Sequence, residues 1–159
     1  MGEMKPIFAI FALLLAACAS TQLVAGQPAP DFSLAEINGG QLSLSQFKGK
    51  VVVLDFWATW CPDCRQSLPH LQALANKGIQ VLAVDEGEDS STIRSFLNQN
   101  HYTFTVVQDT NGSVLASYGL HDIPTTIIIG RDGDVRNIIP WTGPQSSDDI
   151  DAAVRQARQ

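Results

Sequence analysis

Residues 51–65 read Val51-Val52-Val53-Leu54-Asp55-Phe56-Trp57-Ala58-Thr59-Trp60-Cys61-Pro62-Asp63-Cys64-Arg65. The first seven form a β-branched and aromatic run, the pattern of a central strand buried on both faces. From Cys61 to Asn76, apolar residues at 64, 68, 71, 74 and 75 recur at helical spacing, so the strand feeds a helix with one apolar face. Two cysteines three apart at that junction bring their sulfurs close enough to bridge. Cys61 falls at the helix N-terminus, where free N–H groups and the dipole stabilise a thiolate. Cys64, one turn later, is expected to be the more buried, resolving thiol.

Two other uses of the pair are weaker. A structural zinc site needs four ligands, and the chain has no second Cys-x-x-Cys and no suitably spaced histidine pair; His70, His101 and His121 are scattered. A purely structural disulfide closing so small a loop stabilises little. Redox chemistry is the favoured reading.

Outward from this junction, strand and helix patterns alternate. Asp31–Phe47 has alternating apolar residues around Asn38-Gly39-Gly40, a hairpin signal. Ile79–Val84 and Phe104–Val107 read as strands, Ser90–Asn98 as a helix with Ser or Thr caps, and Val114–Tyr118 as a short helix. Thr125–Ile129 and Val135–Ile139 flank Arg131-Asp132-Gly133-Asp134, a second hairpin. Ser146 or Ser147 is expected to cap a final helix. Asp148, Asp149 and Asp151 fall in its first turn and Arg155 and Arg158 near its end, complementing the dipole. The order predicts an α/β fold with a mixed sheet.

The 159 residues suit one domain, and 45% hydrophobic content rules out wholesale disorder. A net charge of -6 without a Lys/Arg cluster argues against nucleic acid as a partner. Three cysteines are too few for a disulfide-stapled scaffold. Part of the hydrophobic count lies at the N-terminus, where Lys5 precedes an apolar run from Ile7 to Ala17. That run is shorter than the roughly 20 residues a membrane span needs, and it matches a secretory signal. It ends in Leu15-Ala16-Ala17-Cys18, which resembles a bacterial lipobox, so Cys18 becomes the first mature residue and carries lipid. The alternative is ordinary cleavage after Ala19 or Ala25, leaving a soluble secreted protein. The expected organisation is residues 1–17 as signal, 18–29 as lipidated cysteine and tether, and 30–159 as the domain. Ala19 after the cysteine favours the outer membrane if the cell is Gram-negative.

Val53 to Arg65 resembles the active-site segment of thioredoxins. More narrowly, residues 26–157 resemble the TlpA-like (ResA-like) exported thiol–disulfide oxidoreductases, beginning with Gly26-Gln27-Pro28-Ala29-Pro30-Asp31-Phe32, an opening shared with peroxiredoxins. The resemblance implies a thioredoxin-like fold, a mixed central sheet flanked by helices, with an added N-terminal β-hairpin. It implies that Cys61 is the nucleophile and Cys64 the resolving thiol. Trp60 packs beside the disulfide and restricts water, and Pro69 kinks the active-site helix. Ile123-Pro124-Thr125 matches the cis-proline loop that pairs with an extended substrate. Glu88 matches an acidic position near the thiols, though Asp85, Glu86 and Asp89 are alternatives, as is a solvated loop. Asp55 matches the buried Asp proposed to accept the proton of the resolving cysteine. An Asp in an apolar strand must be protonated or hydrogen-bonded, which raises its pKa.

The pair departs from thioredoxins, which carry Gly-Pro between the cysteines. Asp63 sets a carboxylate beside Cys61 and Cys64, which disfavours thiolate and predicts a reductant rather than a strong oxidant. The resemblance implies no cofactor beyond the Cys61–Cys64 disulfide, disulfide-containing protein substrates, a membrane thiol electron donor and a monomer. Cytochrome c maturation and periplasmic thiol repair are the candidate settings. Two other functions compete. A thiol peroxidase of the family sharing the opening has Pro seven and Thr or Ser three residues before its reactive Cys, where this chain has Leu54 and Ala58. A metal carrier of related fold has Cys-x-x-x-Cys with an added His, where this chain has Cys-x-x-Cys.

Overall fold

The computed structural model describes residues 23–159. In chain order these form β1 (Ser33–Glu36), β2 (Gln41–Ser43), a 3-10 turn (Leu44–Phe47), β3 (Val52–Trp57), α1 (Pro62–Asn76) and β4 (Gln80–Glu86). There follow α2 (Ser90–Asn100), β5 (Thr105–Asp109), α3 (Ser113–Ser117), β6 (Thr125–Ile129), β7 (Val135–Pro140) and α4 (Gln145–Ala157). The strands make one sheet in the order β2-β1-β5-β4-β3-β6-β7. Strands β3, β4 and β5 run parallel, and β6 and β1 join them antiparallel on either side. The hairpin expected at Asn38-Gly39-Gly40 is present, and β1 attaches it to β5.

All six residues of β3 are buried, because helices or loops cover both faces of the sheet. On one face Val53 and Trp57 pack with Val81 and Ala83 against Cys64, Leu68 and Leu71 of α1, Ile93 of α2 and Ile150 of α4. On the other, Val52, Leu54 and Phe56 pack with Leu82, Val84, Val107, Tyr118 and Ile127. Alternation along a strand therefore assigns Asp55, between Val53 and Trp57, to the α1 face. Removing any of these large side chains would cost several kcal/mol, since such a core does not close over the gap (about 2–5 for Leu or Ile to Ala).

Three local expectations are corrected. The N-cap of α2 is Asp89, whose side chain accepts the Ser91 and Thr92 N–H groups; no Ser or Thr performs that task. Helix α4 starts at Gln145, before both cap candidates. Ser146 is buried within its first turn, its Oγ accepting the Thr142 N–H at 3.0 Å. Of the three acids expected in that turn only Asp148 lies there, while Arg155 does occupy the last turn. The expected tether is docked over its described part. Leu23 is buried, the Gly26 N–H donates to the Val135 carbonyl at 2.8 Å, and Val135 returns its own N–H to the Gln27 carbonyl at 2.8 Å. Residues 1–17, Cys18 and the start of the tether lie outside the described residues.

Helix α3 is too short to hold itself together and depends on Asp109 at the end of β5. The buried Asp109 Oδ2 accepts the Val114 and Leu115 N–H groups, each at 2.9 Å. Asp109→Ala strands one buried and one half-buried donor and is expected to cost about 2 kcal/mol in urea unfolding. A loss below about 0.5 kcal/mol would contradict this role.

Candidate active site

Strand β3 ends at Trp57, and Ala58-Thr59-Trp60 turns the chain into α1. Cys61 is the helix N-cap, its Sγ accepting the Cys64 N–H at 3.1 Å, and Pro62 begins the helix, where its missing donor is not needed. Cys61 and Cys64 are joined in a disulfide with Cα atoms 5.3 Å apart. Cys64 is fully buried and Cys61 5% exposed, so their order of burial is as expected. Pro69 lies inside α1.

The loop before β6 reaches the same sulfur. The Ile123–Pro124 bond is cis, and the Ile123 carbonyl oxygen lies 3.9 Å from Cys61 Sγ. The Pro124 carbonyl is occupied by the Trp141 N–H at 3.1 Å. Backbone of this loop thus lies against Cys61.

Asp55 is fully buried in β3 opposite Thr126 of β6. The Thr126 hydroxyl donates to Asp55 Oδ1 at 2.6 Å, and Oδ2 has no hydrogen-bond partner. Burial pushes the carboxyl up from its usual 3.8 to about 7, and the Thr126 hydrogen bond opposes part of that rise. A group near neutrality in that position can take up or hold a proton at working pH.

Glu88 is no solvated loop residue. Its Oε2 accepts the Thr59 N–H and its Oε1 the Thr59 hydroxyl, both at 2.5 Å. Asp63 lies exposed in the first turn of α1, with Oδ1 accepting from Gln66 Nε2 at 3.2 Å. Trp60, next to Cys61 in the chain, is 60% exposed, so any cover it gives the disulfide is partial. Water is kept from the sulfurs by their own burial.

Arg65 and Asp85, the latter an alternative to Glu88 in the sequence, also belong here. Arg65 donates from Nε to the Thr59 carbonyl at 2.7 Å and lays its guanidinium 5.7 Å from the Phe96 ring centre. Asp85, at the end of β4, is fully buried and accepts the Glu88 N–H at 2.9 Å. The signal that singled out Asp55, an acid in an apolar strand, was present for Asp85 as well. Among the described residues, no group of three or more His, Cys, Asp and Glu side chains is arranged to hold a metal ion.

A disulfide at a helix N-terminus, beside a cis-proline loop on a mixed sheet, defines a class of thioredoxin-fold dithiol–disulfide enzymes. Residues 25–138 match the AhpC/TSA family. The thiol-disulfide oxidoreductase ResA of Geobacillus kaustophilus is 36% identical over 135 residues, covering 82% of this chain and 76% of that protein. A crystal structure assigned as the thiol:disulfide interchange protein DsbE of Chlorobium tepidum superposes with a TM-score of 0.79 at 36% identity, covering 87% of this chain and all of that one. The exposed lipoprotein thioredoxin Etrx1 of Streptococcus pneumoniae superposes at 0.69 with 30% identity, covering 80% and 99%. The chain belongs to the AhpC/TSA family and, within it, is a thiol–disulfide oxidoreductase of the ResA and DsbE type with Cys61 and Cys64 as its pair.

The state of Asp55 contributes to the pH dependence of stability. Its folded-state carboxyl titrates near 7 and the unfolded one near 3.8, so the folded protein holds a proton that the unfolded chain has released. The stability from this group is full below the lower value and is lost as pH rises through the higher one. Asp55→Asn cannot ionise, so at about pH 8 it is expected to be more stable than the parent by up to roughly 4 kcal/mol. Urea unfolding of the oxidised proteins checks this; a gap that fails to shrink toward about pH 4 would contradict it.

Proposed function

We propose that this oxidoreductase works outside the cytoplasmic membrane as a lipid-anchored reductase of protein disulfides. The observation that carries the reading is the placing of Cys61. Its sulfur caps α1 and meets the Ile123 backbone, while Cys64 lies buried behind it on the face of the sheet that holds Asp55.

In this reading reduced Cys61, as thiolate, attacks one sulfur of a partner disulfide. A Cys61–partner bond forms, and the other partner sulfur leaves as a thiolate and takes a proton from water. The partner chain lies extended against the Ile123–Pro124 backbone. Cys64 then gives its proton to Asp55, directly or through water, and attacks the Cys61 sulfur. The Cys61–Cys64 disulfide forms, the second partner thiol departs, and two electrons have passed to the partner. The pair itself holds the electrons, so no bound cofactor takes part, and a membrane thiol donor restores the dithiol.

The direction rests on Asp63, whose carboxylate in the first turn of α1 opposes the helix dipole at the sulfurs. A less stabilised thiolate makes the dithiol the better reductant. Location rests on the signal-like residues 1–17 and the lipobox at Cys18, with support from the exposed lipoprotein among the similar structures. Among the described residues, no helix is long and apolar enough to cross a membrane. Cytochrome c cysteines and oxidised exported proteins are the substrate classes this location offers.

A peroxidase reading draws on the AhpC/TSA match. Against it, buried Leu54 and Ala58 stand where such peroxidases place Pro and a hydroxyl residue. Insulin-disulfide reduction, peroxide consumption and copper titration, run side by side, separate the readings. The expected result is insulin reduction that Cys61→Ser abolishes, with little peroxide turnover and no tight copper binding. Absent reduction, or reduction that survives Cys61→Ser, would overturn the proposal.

A further inference from the structure

Thr59, two residues before Cys61, is tied on three sides. Its N–H and hydroxyl both end on Glu88, and its carbonyl accepts from Arg65. Glu88 is in turn placed by its own backbone: Asp85 Oδ1 accepts the Glu88 N–H at 2.9 Å, and Gln108 Nε2 donates to the Glu88 carbonyl at 2.8 Å. Asp85 Oδ2 is buried with no hydrogen-bond partner. Two carboxyl groups three residues apart therefore share one end of β4, and one of them holds the active-site turn.

We propose that Asp85 is a positioning residue for the Cys61 turn: protonated, it lets the Glu88 carboxylate clamp Thr59, and ionised, it weakens that clamp and slows Cys61. The proposal rests on the reading of Cys61 as the attacking thiol.

The surroundings of Asp85 decide what its ionisation does. From its own strand and the following loop the charged groups are Glu86 and Glu88, both of its own sign. On β3 its register partner is Trp57, and the titratable group on that face is Asp55, two residues earlier. On β5 its partner is neutral Gln108. From α1, Arg65 is spent on the Thr59 carbonyl and Phe96. From α2, Asp89 caps its own helix, and Arg94 donates to the Ile37 carbonyl. The charged groups that act on Asp85 are thus Glu88 and then Glu86, both acids, and the Glu88 carboxylate takes most of the repulsion. Burial first, and Glu88 next, push Asp85 from its usual 3.8 to about 8. At neutral pH it keeps its proton and the clamp holds.

The test is the alkylation rate of Cys61 in the reduced protein, followed with iodoacetamide and mass spectrometry across a pH series. Asp85→Asn keeps the shape and the acceptor for the Glu88 N–H but cannot ionise. Its rate relative to the parent is expected to stay within about twofold near pH 6 and to rise to about threefold or more near pH 9.5. A ratio independent of pH would overturn the proposal, because a purely structural role shifts the rate equally at every pH. The Thr59 amide proton of the parent gives a second readout that needs no variant. Its NMR shift is expected to move in a step with a midpoint above 7, and a shift that stays constant from about pH 7 to 9 would overturn the proposal. Alkylation requires no protein substrate, so failed insulin reduction with an intact pH-dependent ratio would count against the proposed function alone.

Discussion

Strand β3 enters the sheet at Val52 and is buried at every residue until the chain turns at Ala58. Parallel pairing to β4 and antiparallel pairing to β6 hold it from both sides, residue by residue. The position of Cys61 follows from that constraint. A strand locked in register on two edges has one possible end point, and the short turn that follows starts α1 with a sulfur as its cap. The same register sets Asp55 opposite Thr126 and Trp57 opposite Asp85, so both buried acids near the site are consequences of the pairing.

Reactivity requires that the cap sulfur be fixed yet reachable. Fixing comes from three directions: the Cys64 N–H, the Thr59 turn held by Glu88 and Arg65, and the Ile123 backbone across the sulfur. Access comes from the outward position of Cys61 relative to Cys64 and from the exposed Trp60 beside it, which leaves an apolar surface next to the reacting group. Burial of Cys64 has the opposite effect. A buried thiol loses its proton less readily than an exposed one, and in the proposed mechanism Asp55, whose carboxyl burial brings close to neutrality, takes it.

Much of this was legible in the sequence because it is local. The β-branched run at 51–57 and the 3.6-residue period after Cys61 located β3 and α1 to within a residue, and Ile123-Pro124-Thr125 located the loop that meets them. What escaped depends on contacts between segments far apart in the chain. The cap of α2 falls to Asp89 because the helix begins at Ser90, so both serines lie past the cap position. Residues 18–29 read as lipidated cysteine and a small, polar tether, yet backbone hydrogen bonds of Gly26, Gln27 and Ala29 to Gly133 and Val135 dock its end on the second hairpin, and composition carries no trace of such bonds. Trp60 reads as a shield from its place in the motif, but the sequence carries no sign that 60% of it would stay exposed. Asp85 was visible as an acid in an apolar strand, but its link to Thr59 runs through Glu88, and that link exists only once β3 and β4 are paired.

The account stands or falls on whether Asp55 takes the proton from Cys64. The direct measurement is the resolution rate of a mixed disulfide preformed on Cys61 with a small chromogenic thiol, compared across pH between the parent and Asp55→Asn. The account predicts resolution at least about tenfold slower in the variant at neutral pH, with the difference closing as solution hydroxide takes over deprotonation of Cys64. Equal rates in the two proteins at neutral pH would contradict it.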